Sequence, residues 1–267
     1  MVSGCEKCAQ YTDVPEYLQK IIDDRVVCKE QRVDEWYKAR SALMTASDIP
    51  KILGESFFGS SHSVIQKKVH AVAARTNLPI KDTPYGMKDG EYVEPPEFSA
   101  FSLSAMEWGT NQEPFALEEF IKRTGHKVVG TGLLRHPKYS FLGGSPDGIT
   151  YCGYIIEIKC PFSAKIPAQP RVVPAQYRSQ VQSLLEITGL EKALFVQFRP
   201  AGFAAKGEPC ATEECKFSCL EVMRNPNWSD KSIPLIERCY NDFCRRLAVR
   251  ENCMLEYSTP PPESSQD

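Results

Sequence analysis

The chain has 267 residues, 42% of them apolar and 25% charged, and carries a formal net charge of −2. This balance is that of a globular domain; the near-neutral charge argues against a nonspecific nucleic-acid coat protein but leaves room for an enzyme with a local basic groove. No run of eighteen apolar residues occurs and Met1 to Lys7 contain no apolar leader stretch, so the composition predicts a soluble, intracellular protein with no membrane span.

Eleven cysteines, an odd number scattered through the pattern, predict reduced thiols rather than a disulfide framework. Residues 1–30 are polar and contain Cys5-x-x-Cys8. A zinc site needs four ligands and no second Cys-x-x-Cys or His-rich partner follows, so this stretch reads as a flexible segment with two free thiols. From Val33 the period becomes helical: Val33, Trp36, Tyr37 and Arg40 fall at i, i+3, i+4 and i+7, which puts Arg40 beside an apolar face, where it needs a partner. Asp34 or Asp48 would serve structurally. The alternative is an anion held by Arg40, a hydroxyl and the amides of a helix start at Thr45-Ala46-Ser47-Asp48, with Thr45 or Ser47 as N-cap.

A helix is expected over residues 63–74, then a loop insertion over 77–97, where prolines and glycines crowd among charges. Residues 104–124 form an amphipathic helix pattern ending at Gly125. In its projection Glu113 lies near Trp108 and Ala116, a costly place without a cation nearby. Strands are expected at 127–134, 139–142, 154–159, 193–198 and 217–222, a helix at 175–188 and a last helix at 233–249, followed by a disordered tail over 251–267.

The chemistry concentrates at Ser145-Pro146-Asp147-Gly148 and Tyr154-Ile155-Ile156-Glu157-Ile158-Lys159-Cys160-Pro161. On a strand Glu157 and Lys159 share a face, while Ile156, Ile158 and Cys160 point to the other, into a core. Asp147 lies ten residues before Glu157. Two carboxylates and an ammonium in one small volume make sense if a divalent metal neutralises the acids and the lysine orients a water.

Taken in series, Trp36-Tyr37-Lys38-Ala39-Arg40, Thr45-Ala46-Ser47, Trp108-Gly109 with Glu113, Ser145-Pro146-Asp147-Gly148, Glu157-Ile158-Lys159-Cys160-Pro161-Phe162 and Tyr177 with Gln180-Val181-Gln182 resemble the PD-(D/E)xK nuclease superfamily. Within it they resemble the lambda-exonuclease-like, YqaJ-type viral recombinase group. The resemblance implies an α/β fold with a restriction-endonuclease-like αβββαβ core, a mixed central sheet flanked by helices, in one nuclease domain over residues 31–250. It implies that Asp147, Glu157 and the backbone carbonyl of Ile158 hold Mg²⁺, or Mn²⁺ in its place, with Glu113 at a second metal position. Lys159 would orient the attacking water, Gln180 would support it, and Gln182 has a weaker claim to such a role. Arg40, Ser47 and Ser145 match a pocket for a terminal 5′-phosphate. The activity implied is 5′-to-3′ exonucleolytic digestion of double-stranded DNA ends by two-metal hydrolysis, leaving 3′ single-stranded tails. A homotrimer and a single-strand annealing partner follow from the same resemblance. The alternatives are an endonuclease of the same superfamily, one variant of which would carry an iron–sulfur cluster on Cys5 or Cys28 with Cys210, Cys215 and Cys219, or an inactive DNA-binding module.

Overall fold

A computed structural model describes residues 5–76, 87–88, 91–92 and 99–258 of the chain. The order of elements is α1 (Glu6–Ala9), α2 (Glu16–Arg25), β1 (Val26–Cys28), α3 (Asp34–Ser41), β2 (Met44–Thr45), α4 (Ile49–Ile52) and α5 (Ser61–Thr76). The short pair β3 (Met87–Lys88) and β4 (Glu91–Tyr92) follows, then α6 (Ala100–Thr124), β5 (Val128–Val129), β6 (Leu133–Arg135), β7 (Leu142–Gly144), β8 (Gly148–Thr150) and β9 (Tyr154–Lys159). The chain continues with α7 (Ala175–Thr188), β10 (Lys192–Arg199), β11 (Lys216–Met223) and α8 (Trp228–Ser258).

Two sheets share the strands. One is mixed and has the order β11-β10-β9-β8-β5, with β9 and β10 parallel and the remaining pairs antiparallel; the other has the order β1-β6-β7-β2. Helix α6 covers one face of the mixed sheet, packing Ala116 and Phe120 against Ile156, Ile158, Val196 and Phe198. Helix α7 covers the other, packing Val181, Leu184 and Leu185 against Ile155, Ala193 and Phe195. Strand β9 is therefore buried on both faces, which is why it reads as a near-continuous apolar run interrupted only by its two charges. This is the expected α/β arrangement of a mixed sheet flanked by helices. Helices α5 and α8 close the second sheet through Val64, Ile65, Val69, Ile236 and Phe243.

The segment 127–134, expected as one strand, is two strands in different sheets. Gly132 between them has φ +68°, and a Cβ there would meet the Cys28 carbonyl oxygen at 2.1 Å, so only glycine turns the chain this way. The chain crosses back between sheets at Ser145-Pro146-Asp147, after β7 and before β8, a strand absent from the expected set. Gly144 sits at that crossing with Leu184, Ala46 and Ile187 within about 3 Å of where a Cβ would stand, so α7 packs directly on the backbone.

The N-terminal segment, expected to be flexible, is folded from residue 5. Leu18 and Ile22, four apart on α2, are buried against Ile149, and β1 pairs antiparallel with β6. The expected insertion falls largely outside the described residues, apart from the hairpin β3–β4, and of the expected tail residues 251–258 continue α8. Among the described residues no helix is long and apolar enough to cross a membrane.

Because Leu18 is fully buried, Leu18→Ala is expected to cost about 2–4 kcal/mol in urea unfolding. A midpoint unchanged from the parent chain would mean that α2 is not part of the cooperative core.

Candidate active site

Glu157 is 2% exposed, on the α7 face of β9. Its Oε1 accepts a hydrogen bond from Lys159 Nζ at 2.5 Å and another from Gln180 Nε2 at 2.6 Å. The period of two along β9 puts the acid and the lysine side by side, and one turn of α7 brings the glutamine onto them. Lys159 lies 5.2 Å from the centroid of the Tyr177 ring, also on α7. Asp147, at the crossing between the sheets, accepts a hydrogen bond from the Ile158 N–H at 2.5 Å and donates its own N–H to the Ile156 carbonyl at 3.1 Å. The crossing is thus tied directly to β9 on both sides of Glu157.

Glu113 reaches the same volume from α6. Pro114 follows it inside the helix, so one backbone N–H is missing at the turn that carries the acid. Its carboxylate is paired with Arg32 Nη2 at 2.8 Å, and Arg32 holds a left-handed backbone with φ +68°. Nothing in the sequence singled out Arg32, because it belongs to a loop with no period of its own.

The electrostatics of the cluster are those of excess negative charge. Burial raises Asp147 well above its ordinary value, and repulsion from Glu157 and Glu113 adds to this. Burial likewise raises Glu157, against the opposing pull of Lys159. For Lys159 burial works against the ammonium, but the attractions of Glu157 and Asp147 outweigh it and its pKa moves upward. The ammonium form of Lys159 is thus favoured by the two acids beside it. Three carboxylates supply oxygen donors of the kind a hard divalent cation takes, and such an ion would remove the repulsion that Glu157 and Glu113 exert on Asp147. In donor type the residues present fit such an ion.

A second cluster adjoins the first. Arg40 lies 4.3 Å above the Trp36 ring and donates from Nη2 to Ser47 Oγ at 3.0 Å and to Thr45 Oγ1 at 3.4 Å. Trp36 Nε1 donates to Ser145 Oγ at 3.0 Å. The indole therefore joins Arg40 and Ser145, a connection that the helical spacing of Trp36 and Arg40 permits but does not reveal. Asp48 is not the partner of Arg40. It binds Lys68 Nζ at 2.9 Å, Thr45 Oγ1 at 2.6 Å and the Thr45 N–H at 3.0 Å. Burial would raise Asp48, but Lys68 and Thr45 outweigh it and hold the carboxyl down to about 2. The expected N-cap at Ser47 or Thr45 does not form. Helix α4 is four residues long with no side-chain cap, and Ser47 instead turns its hydroxyl to Arg40. Gln182, two residues beyond Gln180, faces away and bonds the Met223 carbonyl and the Asn225 N–H, so its role is structural.

Beyond Lys159 the chain enters a loop that Arg199 holds. Its Nη2 donates to the carbonyls of Pro161 and Ala164, each at 2.9 Å. The cysteines weighed for an iron–sulfur cluster do not assemble: among the described residues Cys210, Cys215 and Cys219 form no metal-competent group with Cys5 or Cys28.

Residues 35–191, more than half of the chain, match the model of the YqaJ-like viral recombinase domain. An uncharacterized protein of Acanthamoeba polyphaga mimivirus is 24% identical over 183 residues, 63% of this chain but only 29% of that protein. Among solved structures the fold is similar to an alkaline exonuclease from Laribacter hongkongensis, at 24% identity and a TM-score of 0.54, over 85% of this chain and 98% of that one. The same exonuclease in complex with dAMP superposes over equal shares at 23% identity with a TM-score of 0.55.

Raised carboxyl pKa values mean that the folded chain binds protons the unfolded chain releases, so without a metal its stability falls as pH rises from the ordinary Asp value of 3.8 toward the raised one. Asp147→Asn removes that penalty and is expected to stabilise the metal-free protein at pH 8 by on the order of 1 kcal/mol, with little effect at pH 4. Equal destabilisation at both pH values, measured by denaturant titration in chelator, would show that burial and repulsion do not raise this carboxyl.

Proposed function

The chain belongs to the YqaJ-like viral recombinase domain family, and we propose that it is a metal-dependent deoxyribonuclease that digests linear duplex DNA from 5′ ends, leaving 3′ single-stranded tails for recombination or end processing. The observation that carries this reading is the sharing of one segment by two clusters. Ser145 is bonded through Trp36 to the Arg40 group, and Asp147, two residues on, belongs to the acidic group.

Asp147, Glu157 and Glu113, with the Ile158 carbonyl, would hold Mg²⁺ or Mn²⁺, which would supply polarisation of a phosphoryl oxygen and a bound water of lowered pKa. The remaining work belongs to the chain's own groups. Lys159, fixed as an ammonium by Glu157, supplies a positive charge where the phosphate gains negative charge, and donates toward an attacking water to orient it. Gln180 holds the Glu157 carboxylate through the same oxygen that Lys159 uses, so the acid cannot rotate away from the site. Arg40, pre-oriented by the Trp36 face and by two hydroxyls, offers its guanidinium edge to a terminal phosphate, with Ser47 and Ser145 as further donors. A pocket for a terminal phosphate has no occupant inside a continuous strand, so the geometry favours cutting from an end. The fold-sharing exonuclease of Laribacter hongkongensis, crystallised with a mononucleotide, supports the same direction of reading. A homotrimer encircling DNA and a single-strand annealing partner belong to this proposal as its quaternary and cellular parts.

Linear duplex should be degraded faster with 5′-phosphates than with 5′-hydroxyls, and covalently closed plasmid should survive. Efficient cutting of the closed circle would replace the exonuclease by an endonuclease. Lys159→Ala is expected to lower kcat by about 10²-fold or more while leaving DNA binding in gel shifts intact. Arg40→Ala should raise KM about tenfold or more on 5′-phosphorylated ends alone; equal losses on both kinds of end would remove the phosphate pocket.

A further inference from the structure

We propose that Cys5, Cys8, His126 and Cys152 form a structural zinc centre that fastens the N-terminal segment to the ends of the elements carrying the catalytic acids. One ligand atom from each of the four lies within 4.8 Å of the others. Cys8 Sγ is 3.3 Å from Cys152 Sγ, and Cys5 Sγ is 4.0 Å from it. A tetrahedral zinc with Zn–S near ~2.3 Å and Zn–N near ~2.0–2.1 Å places its donor atoms ~3.3–3.8 Å apart, so inward shifts of less than about 1 Å complete the shell.

Three segments distant in sequence converge here, and each is held by the fold. The Cys5-x-x-Cys8 turn is closed by the Cys8 N–H on the Cys5 carbonyl at 2.9 Å, which brings both thiols to one side. The Cys5 N–H donates to the carbonyl of Gly125, the left-handed residue that caps α6, and His126 follows it directly. The His126 ring stacks on Phe120 and meets Tyr154 edge-on, and its Nδ1 is buried with no hydrogen-bond partner. Cys152 occupies the turn between β8 and β9. Cys8 itself is 1% exposed. A search of the sequence for a second Cys-x-x-Cys could not find this site, since the other two ligands come singly from the end of α6 and from a hairpin turn.

The donor set also discriminates between the protein's two metal positions. Three thiolates and an imidazole select zinc, whereas the carboxylates of the active site select Mg²⁺ or Mn²⁺. Four protein ligands leave no open position for a substrate or an activated water, so the centre is structural. A disulfide between Cys8 and Cys152 would use only two of the four groups and would leave Cys5 and His126 in the cluster without a purpose. Cys152 precedes β9, which bears Glu157 and Lys159 at its other end, and His126 follows α6, which bears Glu113. The ion would therefore brace the two acid-bearing elements against one another from behind.

The full chain, purified without chelator and analysed by plasma mass spectrometry, should carry about one zinc per chain that excess Mg²⁺ does not displace. His126→Ala and Cys152→Ser should lose it, His126→Cys should keep it, and Cys210→Ser, outside the cluster, should be unchanged. Should a variant fail to fold, reconstitution of the unaltered chain with Co²⁺ gives a second reading: intense visible absorption of a tetrahedral thiolate site is expected. A chain without zinc that also gives no such cobalt spectrum, zinc retained by Cys152→Ser, or a Cys8–Cys152 disulfide found by peptide mapping would overturn the proposal.

Discussion

A carboxylate at 2% exposure, on a strand covered by helices on both faces, sets the terms for everything around it. Leaving Glu157 ionised there without company would cost several kcal/mol, so the fold supplies an ammonium two residues along the same strand and an amide from the covering helix. Both meet one oxygen of the carboxylate. Asp147 and Glu113 join it, and the upward shifts of Asp147 and Glu157 express burial first, with the repulsion among the acids added to it. Burying these acids together costs stability locally, the usual relation between strain at a site and the chemistry it allows.

What fixes the geometry of the site is the exchange of chain between two sheets. Ser145-Pro146-Asp147 is a crossing in which neither neighbour is free to move: β7 and β8 are each paired, Asp147 is bonded to β9 at two backbone positions, and Gln31 donates to the Pro146 carbonyl at 3.3 Å. Three consecutive residues consequently serve two clusters. Trp36 extends the arrangement, since its ring supports Arg40 while its N–H holds Ser145. An indole used in both ways has little rotational freedom left, which makes it a rigid spacer between the acids and the guanidinium.

Much of this was legible from residues alone because it is local. The spacing of Glu157 and Lys159 on a strand, the apolar stripe of 175–188 that brings Gln180 inward, and the Gly125 stop of α6 are properties of a few consecutive residues, and each is found where the pattern puts it. The failures are non-local. Residues 127–134 have the composition of one strand, and only the backbone demands of Gly132 against the Cys28 and Lys29 carbonyls divide them between sheets. The N-terminal segment is polar in composition, yet the few side chains it buries, Leu18 and Ile22 among them, suffice because Ile149 and the edge of β6 already offer a surface. Arg32 with Glu113, and Cys8 with Cys152, join positions whose relation exists only after the sheets are assembled.

Strand β10 gives the fold a temporal order as well as a spatial one. It lies between β9 and β11 and pairs with β9 in register from Lys192 with Tyr154 to Gln197 with Lys159, so the flank of the strand bearing Glu157 and Lys159 stays open until β10 arrives. Gln180 reaches Glu157 only when α7, which links these two parallel strands in sequence, has packed on the face of the sheet. A chain growing from its N-terminus thus carries Arg40, Glu113, Asp147, Glu157 and Lys159 for some time without an enclosed site, because closing so long a loop must precede the contacts that repay it. Enclosure of the strand that bears Glu157 and Lys159 is therefore a late event in the making of this fold, complete only when the chain has been extended through Gln197.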